Sequence, residues 1–372
     1  MIVGLFPELD AIGGIQCVGR HIAAVMAEFA RRNDLECRLL SLNDSHELHR
    51  MTVAGREFVF MGYERGKLRL GVAAARAAWR GEARIVVAAH PHFALAAQGM
   101  RAVSRRMRTI VCTHGIEVWE PLPLLRRRAL RHADVVLAPS RDTAEQVAVR
   151  QRVLRERIQV LPWALDPQFE ARAASAAAKV GLPGTFPHGR VILSVGRWDS
   201  SEGYKGLDQL ISAMPRLLSD WPDLELVAVG EGDDRASLEH LAAERGIKRR
   251  VHFLSRVSQA ELAACYAACE IFALPSRGEG FGLVYLEAMS HGKPVIAGAH
   301  GGAPEVVEDG ATGFLVSHGD VQQLITALRT LLVNPARARQ MGACGRARVE
   351  REFRYERFAA AFEEILREQC ES

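Results

Sequence analysis

The sequence predicts an α/β protein with two doubly wound domains, each built on a parallel sheet. Short β-rich runs alternate with longer helical segments along the whole chain. Most of the short runs are continuously apolar, which is typical of strands buried on both faces of a parallel sheet. At 372 residues the chain is too long for one ordinary core, and two domains of roughly 150–200 residues would suit it.

The elements follow one another in a regular order. The apolar runs predicted to be strands are Ile2–Phe6, Cys37–Leu42, Phe58–Met61, Ile85–Ala89, Thr109–Thr113, Val135–Ala138, Ile158–Leu161, Val191–Val195, Leu224–Val229, Val251–Leu254, Ile271–Leu274, Val295–Ala297 and Phe314–Val316. The predicted helices include Ile15–Arg31, Leu207–Ser219, Ser237–Arg245, Gln259–Ala268 and a final segment, Tyr355–Gln369. Since strands and helices recur in alternation, neighbouring strands are expected to pair in parallel.

The boundary between the two domains is predicted within residues 166–190. Asp166-Pro167 interrupts regular structure, an alanine-rich stretch follows, and Gly181-Leu182-Pro183-Gly184 is typical of a loop. The expected domains are therefore residues 1–165 and residues 166–354.

The composition is that of a globular protein rather than of a membrane-spanning or disulfide-bonded one. Apolar residues make up 48% of the chain and charged residues 25%, and no apolar run reaches the ~18 residues of a spanning helix. The opening run Met1–Phe6 lacks the basic start of a signal peptide and is predicted to be a buried strand. Seven cysteines without C-x-x-C spacing are typical of reduced thiols, so a cytoplasmic location is expected.

Positive charge is concentrated in the first half of the chain. Residues 1–166 contain 25 Lys and Arg against 17 Asp and Glu, with clusters at Arg101–Arg108 and Arg126–Arg131. The second cluster lies beside leucines, and a basic, partly apolar helix is typical of a membrane-surface contact at the inner face of the cell membrane. A solvated arginine face is the alternative. Nucleic acid is not expected as a partner, because aromatic residues are 6% and none lies among the arginines.

Two acids near the C-terminus, Glu279 and Glu287, bracket a glycine-containing turn after the strand Ile271–Leu274. The glycines place Glu279 in the loop and Glu287 inside the following helix. The first free backbone N–H groups of that helix, near Gly282–Val284, then lie between two carboxylates. This arrangement suits a ligand with hydroxyls at both ends and a negative middle, and a nucleotide sugar is such a ligand.

Two cations follow the strand Val191–Val195. Arg197 ends the strand through Gly196, and Lys205 comes eight residues later, just before a helix. Ligands bind at the carboxyl edge of parallel sheets, and cations there would neutralise a diphosphate and stabilise it as a leaving group. An ordinary surface Arg and Lys are the alternative.

Three further motifs stand at strand ends. Gly13-Gly14 opens the first helix, His114 ends the strand Thr109–Thr113, and Gly230-Glu231-Gly232 follows Leu224–Val229. Glycines allow backbone to approach a phosphate or sugar closely, although a tight turn explains them equally well. A full G-x-G-x-x-G is absent, which argues against a nicotinamide dinucleotide site. His90-Pro91-His92 has no convincingly spaced further ligand, so no metal site is expected.

Taken in chain order, these motifs resemble the signature of retaining family-4 glycosyltransferases of the GT-B fold. The resemblance runs over almost the whole chain, through Gly13-Gly14, His114, Gly196-Arg197 with Lys205-Gly206, Gly230-Glu231-Gly232, and the E-x7-E segment from Glu279 to Glu287 with Ala288. One departure stands out: Gly115 follows His114 where the family often has Asp.

The resemblance implies roles for individual residues. Glu287 would bind the ribose hydroxyls, Glu279 a hexose hydroxyl, and main-chain groups near Arg256 the base. The donor-binding residues implied in this way are Gly14, Arg197, Lys205, Gly230, Arg256, Val257, Glu279, Phe281, Gly282, Leu283 and Glu287. Catalytic roles are implied for Glu279, His114, Arg197 and Lys205, with Glu279 not acting as a nucleophile.

The activity implied is transfer of a hexose, with retention, from a UDP- or GDP-linked sugar to a saccharide or lipid-linked saccharide. Two Rossmann-like domains would face a cleft, the first (residues 1–165) binding the acceptor and the second (residues 166–354) binding the nucleotide sugar. The final helix, about 355–372, would cross back to the first domain. No metal or other cofactor is expected. The alternatives are a GT-B-fold epimerase acting on a nucleotide sugar, or a non-catalytic subunit that binds a sugar or nucleotide.

Overall fold

The computed structural model describes residues 1–79, 83–169, 171 and 181–371. The chain divides into two compact units: Met1–Asp166 together with Tyr355–Ser372, and Pro167–Arg354. The alanine-rich part of the predicted boundary segment lies outside the described residues.

The first unit is built on an eight-stranded sheet. Its strands are β1 (Ile2–Phe6), β2 (Cys37–Ser41), β3 (Leu48–Val53), β4 (Arg56–Gly62), β5 (Ile85–Ala88), β6 (Arg108–Cys112), β7 (Val135–Ala138) and β8 (Ile158–Val160). Their order is β3-β4-β2-β1-β5-β6-β7-β8. All neighbours are parallel except β3 and β4, which form an antiparallel hairpin at the edge.

The second unit is built on a six-stranded sheet in which every described pair is parallel. Its strands are β9 (Arg190–Val195), β10 (Leu224–Val229), β11 (Val251–Leu254), β12 (Ile271–Leu274), β13 (Val295–Gly298) and β14 (Gly313–Val316), in the order β11-β10-β9-β12-β13-β14. The strand order changes direction between β9 and β12. In doubly wound sheets such a switch point opens a crevice at the carboxyl ends of the strands.

Helices cover both sheets, as parallel strands buried on two faces require. Numbered in chain order among the described residues, they are α1 (Gly14–Arg32), α2 (Lys67–Trp79), α3 (Ala94–Val103), α4 (Leu124–Arg131), α5 (Arg141–Arg150), α6 (Leu207–Leu218), α7 (Arg235–Glu244), α8 (Gln259–Ala268), α9 (Leu283–Ser290), α10 (Ala303–Val306), α11 (Val321–Val333), α12 (Pro335–Glu352) and α13 (Tyr355–Glu371). The predicted α/β architecture with two parallel sheets is confirmed.

The last helix, α13, belongs to the first unit, although Pro167–Arg354 separates it in sequence from the rest of that unit. Phe358 and Phe362 of α13 are buried, and α13 packs along α1. His21 of α1 lies edge-on to the Tyr355 ring, with centroids 5.1 Å apart. Burial lowers the pKa of His21 to about 4, so it fills this interface as a neutral side chain.

Candidate functional site

Glu279 lies in the loop between β12 and α9, where the E-x7-E spacing places it. Its Oε1 atom is buried, and no residue that the structure describes forms a hydrogen bond with it. Burial raises the pKa of Glu279, whereas the charge of Lys205 and a hydrogen bond from Ser276 oppose the shift. An unsatisfied buried carboxylate oxygen is costly, and a ligand hydroxyl would satisfy it.

The turn that carries Glu279 into α9 depends on glycine. Gly282 has a φ of +95°, and a Cβ there would lie 2.3 Å from the Tyr285 ring. Tyr285 is itself fixed, because its hydroxyl donates to the Leu274 carbonyl at 3.0 Å. On the other side, the Gly302 N–H donates to the Glu279 carbonyl at 2.7 Å. The loop is therefore held in one shape, with the amino end of α9 beside Glu279.

The two predicted cations are brought together by a third residue, Glu202. The Glu202 carboxylate binds the Arg197 guanidinium through one oxygen and lies 3.2 Å from the Lys205 ammonium through the other. Arg197 also pairs with Asp199 at 3.0 Å. Only 9% of the Glu202 side chain is exposed, against 68% for Arg197. One internal carboxylate thus pairs with both predicted cations.

Tyr204 connects this cationic pair to Glu279. Burial, and then the Glu279 charge, raise the pKa of the Tyr204 phenol to about 12, and the Arg197 charge opposes this shift. Glu279 therefore lies within electrostatic reach of Lys205 and Tyr204, and Tyr204 within reach of Arg197. An adjoining cavity of about 230 Å³ is lined by Trp198, Asp199, Glu202, Gly203, Lys205, Gly206, Leu207, Asp208, Asp234 and Leu238.

Glu287 lies in the second turn of α9. Its carboxylate accepts a hydrogen bond from the buried Tyr266 hydroxyl at 2.8 Å. Burial, and then the Glu287 charge, raise the pKa of Tyr266 well above its usual value, so the phenol stays a hydrogen-bond donor. Tyr266 thereby orients the carboxylate from the neighbouring helix α8.

The glycines after β10 approach the Arg197 segment closely. A Cβ on Gly230 would lie 1.8 Å from the Gly196 carbonyl oxygen, and one on Gly232 would lie 2.0 Å from that of Trp198. The Trp198 N–H donates to the Glu231 carbonyl at 2.8 Å. These contacts fix the loop after β10 against the loop after β9. The two backbones approach so closely that a side chain at position 230 or 232 would collide, so glycine is required at both.

Arg256 follows β11 and is almost fully exposed. It adopts a φ of +55°, and its guanidinium lies 3.2 Å from the Glu231 carboxylate. Val257 comes next in the same loop. The loops after β9, β10, β11 and β12 thus stand together at the carboxyl edge of the second sheet.

In the first unit, Gly14 is the first residue of α1, and His114 follows β6. The His114 Nε2 atom lies 2.7 Å from the Ala89 carbonyl, so Nε2 carries the proton and donates. Its Nδ1 atom then has a lone pair for a ligand hydroxyl. The backbone N–H of His114 donates to the Glu117 carboxylate at 2.5 Å. The centroids of the His114 and Trp163 rings are 5.6 Å apart.

The two arginine clusters differ in their surroundings. Arg101 and Arg108 both bind Asp134, at 2.9 and 3.1 Å, and help to hold the loop before β7. On α4, by contrast, Leu124 is 74% exposed and Leu125 is 69% exposed, beside the second cluster. Among the described residues, no helix has the length and apolar character to cross a bilayer. In that same part of the chain, no three His, Cys, Asp or Glu side chains are grouped as metal ligands.

Sequence reasoning missed Glu202 and Tyr204. Both precede Lys205 in a short 3-10 segment, Ser200–Lys205, that brings them against the two cations. The available signal was charge pairing: Glu202 lies three residues before Lys205 and five after Arg197. Four charged side chains were predicted to bind the donor: Arg197, Lys205, Glu279 and Glu287. The first three lie close together in the second unit.

Known proteins match the chain along most of its length. The family description "Glycosyltransferase Family 4" matches residues 18–169, and "Glycosyl transferases group 1" matches residues 184–348. A GDP-mannose-dependent α-(1-6)-phosphatidylinositol monomannoside mannosyltransferase of Mycolicibacterium smegmatis is 37% identical over 276 residues, covering 70% of this chain and 69% of that protein. A D-inositol 3-phosphate glycosyltransferase of Corynebacterium aurimucosum is 38% identical over 182 residues, covering 47% and 42%.

Solved structures agree on the fold. Sucrose-phosphate synthase of Thermosynechococcus elongatus superposes with a TM-score of 0.79 at 23% identity, covering 99% of this chain and 98% of that one. At this identity the likeness concerns the fold alone.

Proposed function

We propose that this chain, which belongs to glycosyltransferase family 4, transfers its hexose with retention of anomeric configuration and without a metal ion. Mannose from GDP-mannose is the first candidate donor, because that is the donor named for the M. smegmatis relative. The acceptor would be a phosphoinositide-type lipid or an inositol phosphate, following the relatives' names. These relatives are glycosyltransferases, so they do not support the epimerase or the non-catalytic subunit.

One observation carries the proposal: the buried Oε1 of Glu279, which no described residue satisfies, lies beside the charge of Lys205. A carboxylate that is desolvated without a partner costs stability unless a ligand compensates it. A sugar hydroxyl would supply the missing donor, and a diphosphate would supply negative charge that the neighbouring cations bind in place of Glu202. A nucleotide sugar offers both groups on one molecule.

The reaction would proceed by substitution on one face of the sugar. The acceptor oxygen forms its bond to the anomeric carbon as the bond from that carbon to the donor diphosphate oxygen breaks. The acceptor proton passes to the departing diphosphate, and Arg197 and Lys205 stabilise the charge that develops there. In this scheme the two cations do the work that a divalent ion does elsewhere, and no covalent glycosyl-enzyme forms.

The remaining residues would bind and orient the donor. Glu287, held by Tyr266, accepts from the ribose hydroxyls, and main-chain groups of Arg256 and Val257 contact the base. Gly14 and Gly230 allow close approach of backbone to the ligand, and His114 Nδ1 accepts from a sugar hydroxyl. The N–H groups of Phe281–Leu283 face the sugar or phosphate at the amino end of α9.

A contact with an anionic membrane surface through α4 belongs to the same proposal. Leu124 and Leu125 expose apolar surface beside Arg127 and Arg128 on a short basic helix. Apolar insertion combined with lysine or arginine charge is how interfacial helices bind anionic lipids. The protein would then act at the cytoplasmic face, where a lipid acceptor is within reach.

The test is a donor and acceptor screen with the purified full-length chain. GDP- and UDP-linked hexoses are supplied with or without a membrane lipid extract, each in the presence and absence of EDTA, and nucleotide release and product anomeric configuration are followed. Acceptor-dependent release of GDP with an α-linked product supports the proposal. Sugar isomerisation without an acceptor, an inverted product, or loss of transfer in EDTA would each contradict a part of it.

A further inference from the structure

A cavity of about 350 Å³ lies at the opposite end of the second sheet from Glu279 and Lys205. Its lining includes Arg190 and Ile271, the first residues of β9 and β12, and Pro294, which precedes β13. These residues mark the amino edge of the sheet, whereas the proposed donor residues follow the carboxyl ends of its strands. The cavity is therefore separate from the proposed donor site.

Three cations from separate parts of the chain line this cavity: Arg190, Lys293 and Arg339. Arg339 lies near the start of α12, is exposed, and forms no ion pair with any residue that the structure describes. Arg190 is half-buried, and its Nε atom lies 3.7 Å from the Asp223 carboxylate, beyond hydrogen-bonding distance. Of the described residues in the lining, Glu270 alone is an acid. Positive charge therefore exceeds negative charge around the cavity.

Lys293 is held in place by the backbone at the end of α8. Its ammonium group donates to the carbonyls of Ala267 and Cys269, each at 2.7 Å. An ammonium group has three protons to donate, so these two bonds leave one for a ligand. The same bonds cover carbonyl groups at a helix C-terminus, whose partial negative charge would otherwise repel an anion. Lys293 is thus a fixed cation beside the cavity.

The rest of the lining combines apolar surface with the start of a helix. Ile271 and Leu331 are buried apolar residues, and Pro294 adjoins them in the lining. Pro335, the first residue of α12, and Ala338 also line the cavity. The positive end of that helix dipole therefore lies at the cavity. Its volume lies in the range of small-molecule sites, about 300–1,000 Å³, and the apolar surface favours an organic anion over a bare inorganic ion.

We propose that Arg190, Lys293 and Arg339 bind the phosphate group of a small organic phosphate, whose organic part packs against Ile271 and Leu331. The guanidinium groups would each offer paired N–H donors to phosphate oxygens, and the ammonium group would act as a point charge. A nucleoside monophosphate and a sugar phosphate share this chemistry. Because the cavity lies at the amino edge of the sheet, its ligand would bind together with the donor and not in its place.

Calorimetric titration of the full-length protein tests this site. The probes are AMP, glucose 6-phosphate and inorganic phosphate, each titrated with and without saturating GDP. Arg339→Gln should weaken binding of both organic phosphates about tenfold, the scale of one charged hydrogen bond. Arg337→Gln removes a charge two residues earlier on α12 but outside the cavity lining. It is the matched control and should bind the probes as the parent does.

Two further variants separate the charge of the site from its shape. Lys293→Gln should also weaken binding of the organic phosphates about tenfold. Since Lys293 bonds to the end of α8 as well, thermal unfolding of this variant checks that the fold persists. Ala338→Phe adds bulk to the cavity lining without changing charge. It should weaken binding of AMP and glucose 6-phosphate more than binding of inorganic phosphate.

Tighter binding of AMP would assign the site to a nucleotide, and tighter binding of glucose 6-phosphate would assign it to a sugar phosphate. Three results would overturn the proposal: no binding of either organic probe, displacement of both by GDP, or equal loss of binding in Arg337→Gln and Arg339→Gln. Inorganic phosphate that binds as tightly as both organic probes would overturn the assignment to an organic ligand. If the parent binds these probes but turns over no nucleotide sugar, the proposed function fails and this site stands.

Discussion

At the scale of single residues, Glu202 has the most distinctive surroundings in the second unit. It binds Arg197 and Lys205 at once, while little of its side chain is exposed. A donor diphosphate would need the same two cations. Under the proposed function, Glu202 would therefore compete with the diphosphate, and it would have to turn away or accept closer negative charge when the donor binds.

Replacing Glu202 by Gln removes the competing charge but keeps the side-chain size. Glu202→Gln should tighten GDP binding about threefold to tenfold, the equivalent of roughly 1 kcal/mol of released ion pairing. Calorimetric titration with GDP measures the effect, and guanosine, which lacks phosphates, serves as the ligand control. Weaker GDP binding in this variant would instead make Glu202 a residue that positions the cations.

Glu279 couples the site to folding stability. Its folded pKa is raised, so the folded state binds the proton more tightly than the unfolded state does. The unfolded state therefore loses its proton first, and stability falls as pH rises from the ordinary glutamate value through the raised folded value. Above the raised folded pKa the ionised side chain carries this penalty in full.

Glu279→Gln should accordingly raise the melting temperature at pH 7, with a smaller gain at pH 4, while lowering transfer by about 100-fold or more. Thermal unfolding across pH 4–8 and transfer kinetics measure the two effects. Glu231→Gln, an exposed acid in the same unit, is the control and should leave the pH dependence of stability unchanged. A melting temperature that drops at pH 7 would show that ionised Glu279 has partners in the free protein.

The proximity of Glu279 to Lys205 could be predicted from their places after β12 and β9, because motifs at the carboxyl ends of parallel strands meet at one edge. Glu202 and Tyr204 could not, since their approach depends on the path of the Ser200–Lys205 segment rather than on any period.

At the scale of elements, most strands were predicted within one or two residues because they are continuous apolar runs. β3 was not predicted, because its residues are mostly exposed and do not form a continuous apolar run. In Leu48–Val53 exposed residues alternate with half-buried ones up to the buried Val53, since β3 pairs only with β4 at the sheet edge. Its hairpin turns at Ala54-Gly55, both with positive φ. The helix Gln259–Ala268 was predicted to the residue, and Ser258 and Glu261 form a capping box at its start.

The turn into α9 gives an element-scale prediction. Gly282→Ala should destabilise the protein by about 2–3 kcal/mol, because the alanine must hold a positive φ and its methyl group meets the Tyr285 ring. Gly71→Ala, in the interior of α2 with open space around it, should stabilise by about 0.5–1 kcal/mol. Urea unfolding of both variants measures the contrast, and equal effects of the two would refute the conformational argument.

At the scale of the whole molecule, α13 ties the last residues to the first unit. Phe362 is fully buried there, so Phe362→Ala should cost about 3–5 kcal/mol. Val333→Ala on α11, where the side chain is 71% exposed, should cost less than about 0.5 kcal/mol. Hydrogen exchange read peptide by peptide should place the loss in Met1–Asp166 and α13. Loss spread evenly into Pro167–Arg354 would contradict the division into units.

The position of α13 also constrains the order in which a nascent chain acquires structure. All of Pro167–Arg354 must leave the ribosome before the helix that covers α1 appears. At typical translation speeds of about 5–20 residues per second, this delay lasts roughly ten to forty seconds. Arrest-peptide force measurements should register a late folding event only once α13 has emerged. Until then the nascent chain exposes the apolar face of its first helix, the kind of surface that ribosome-associated chaperones shield.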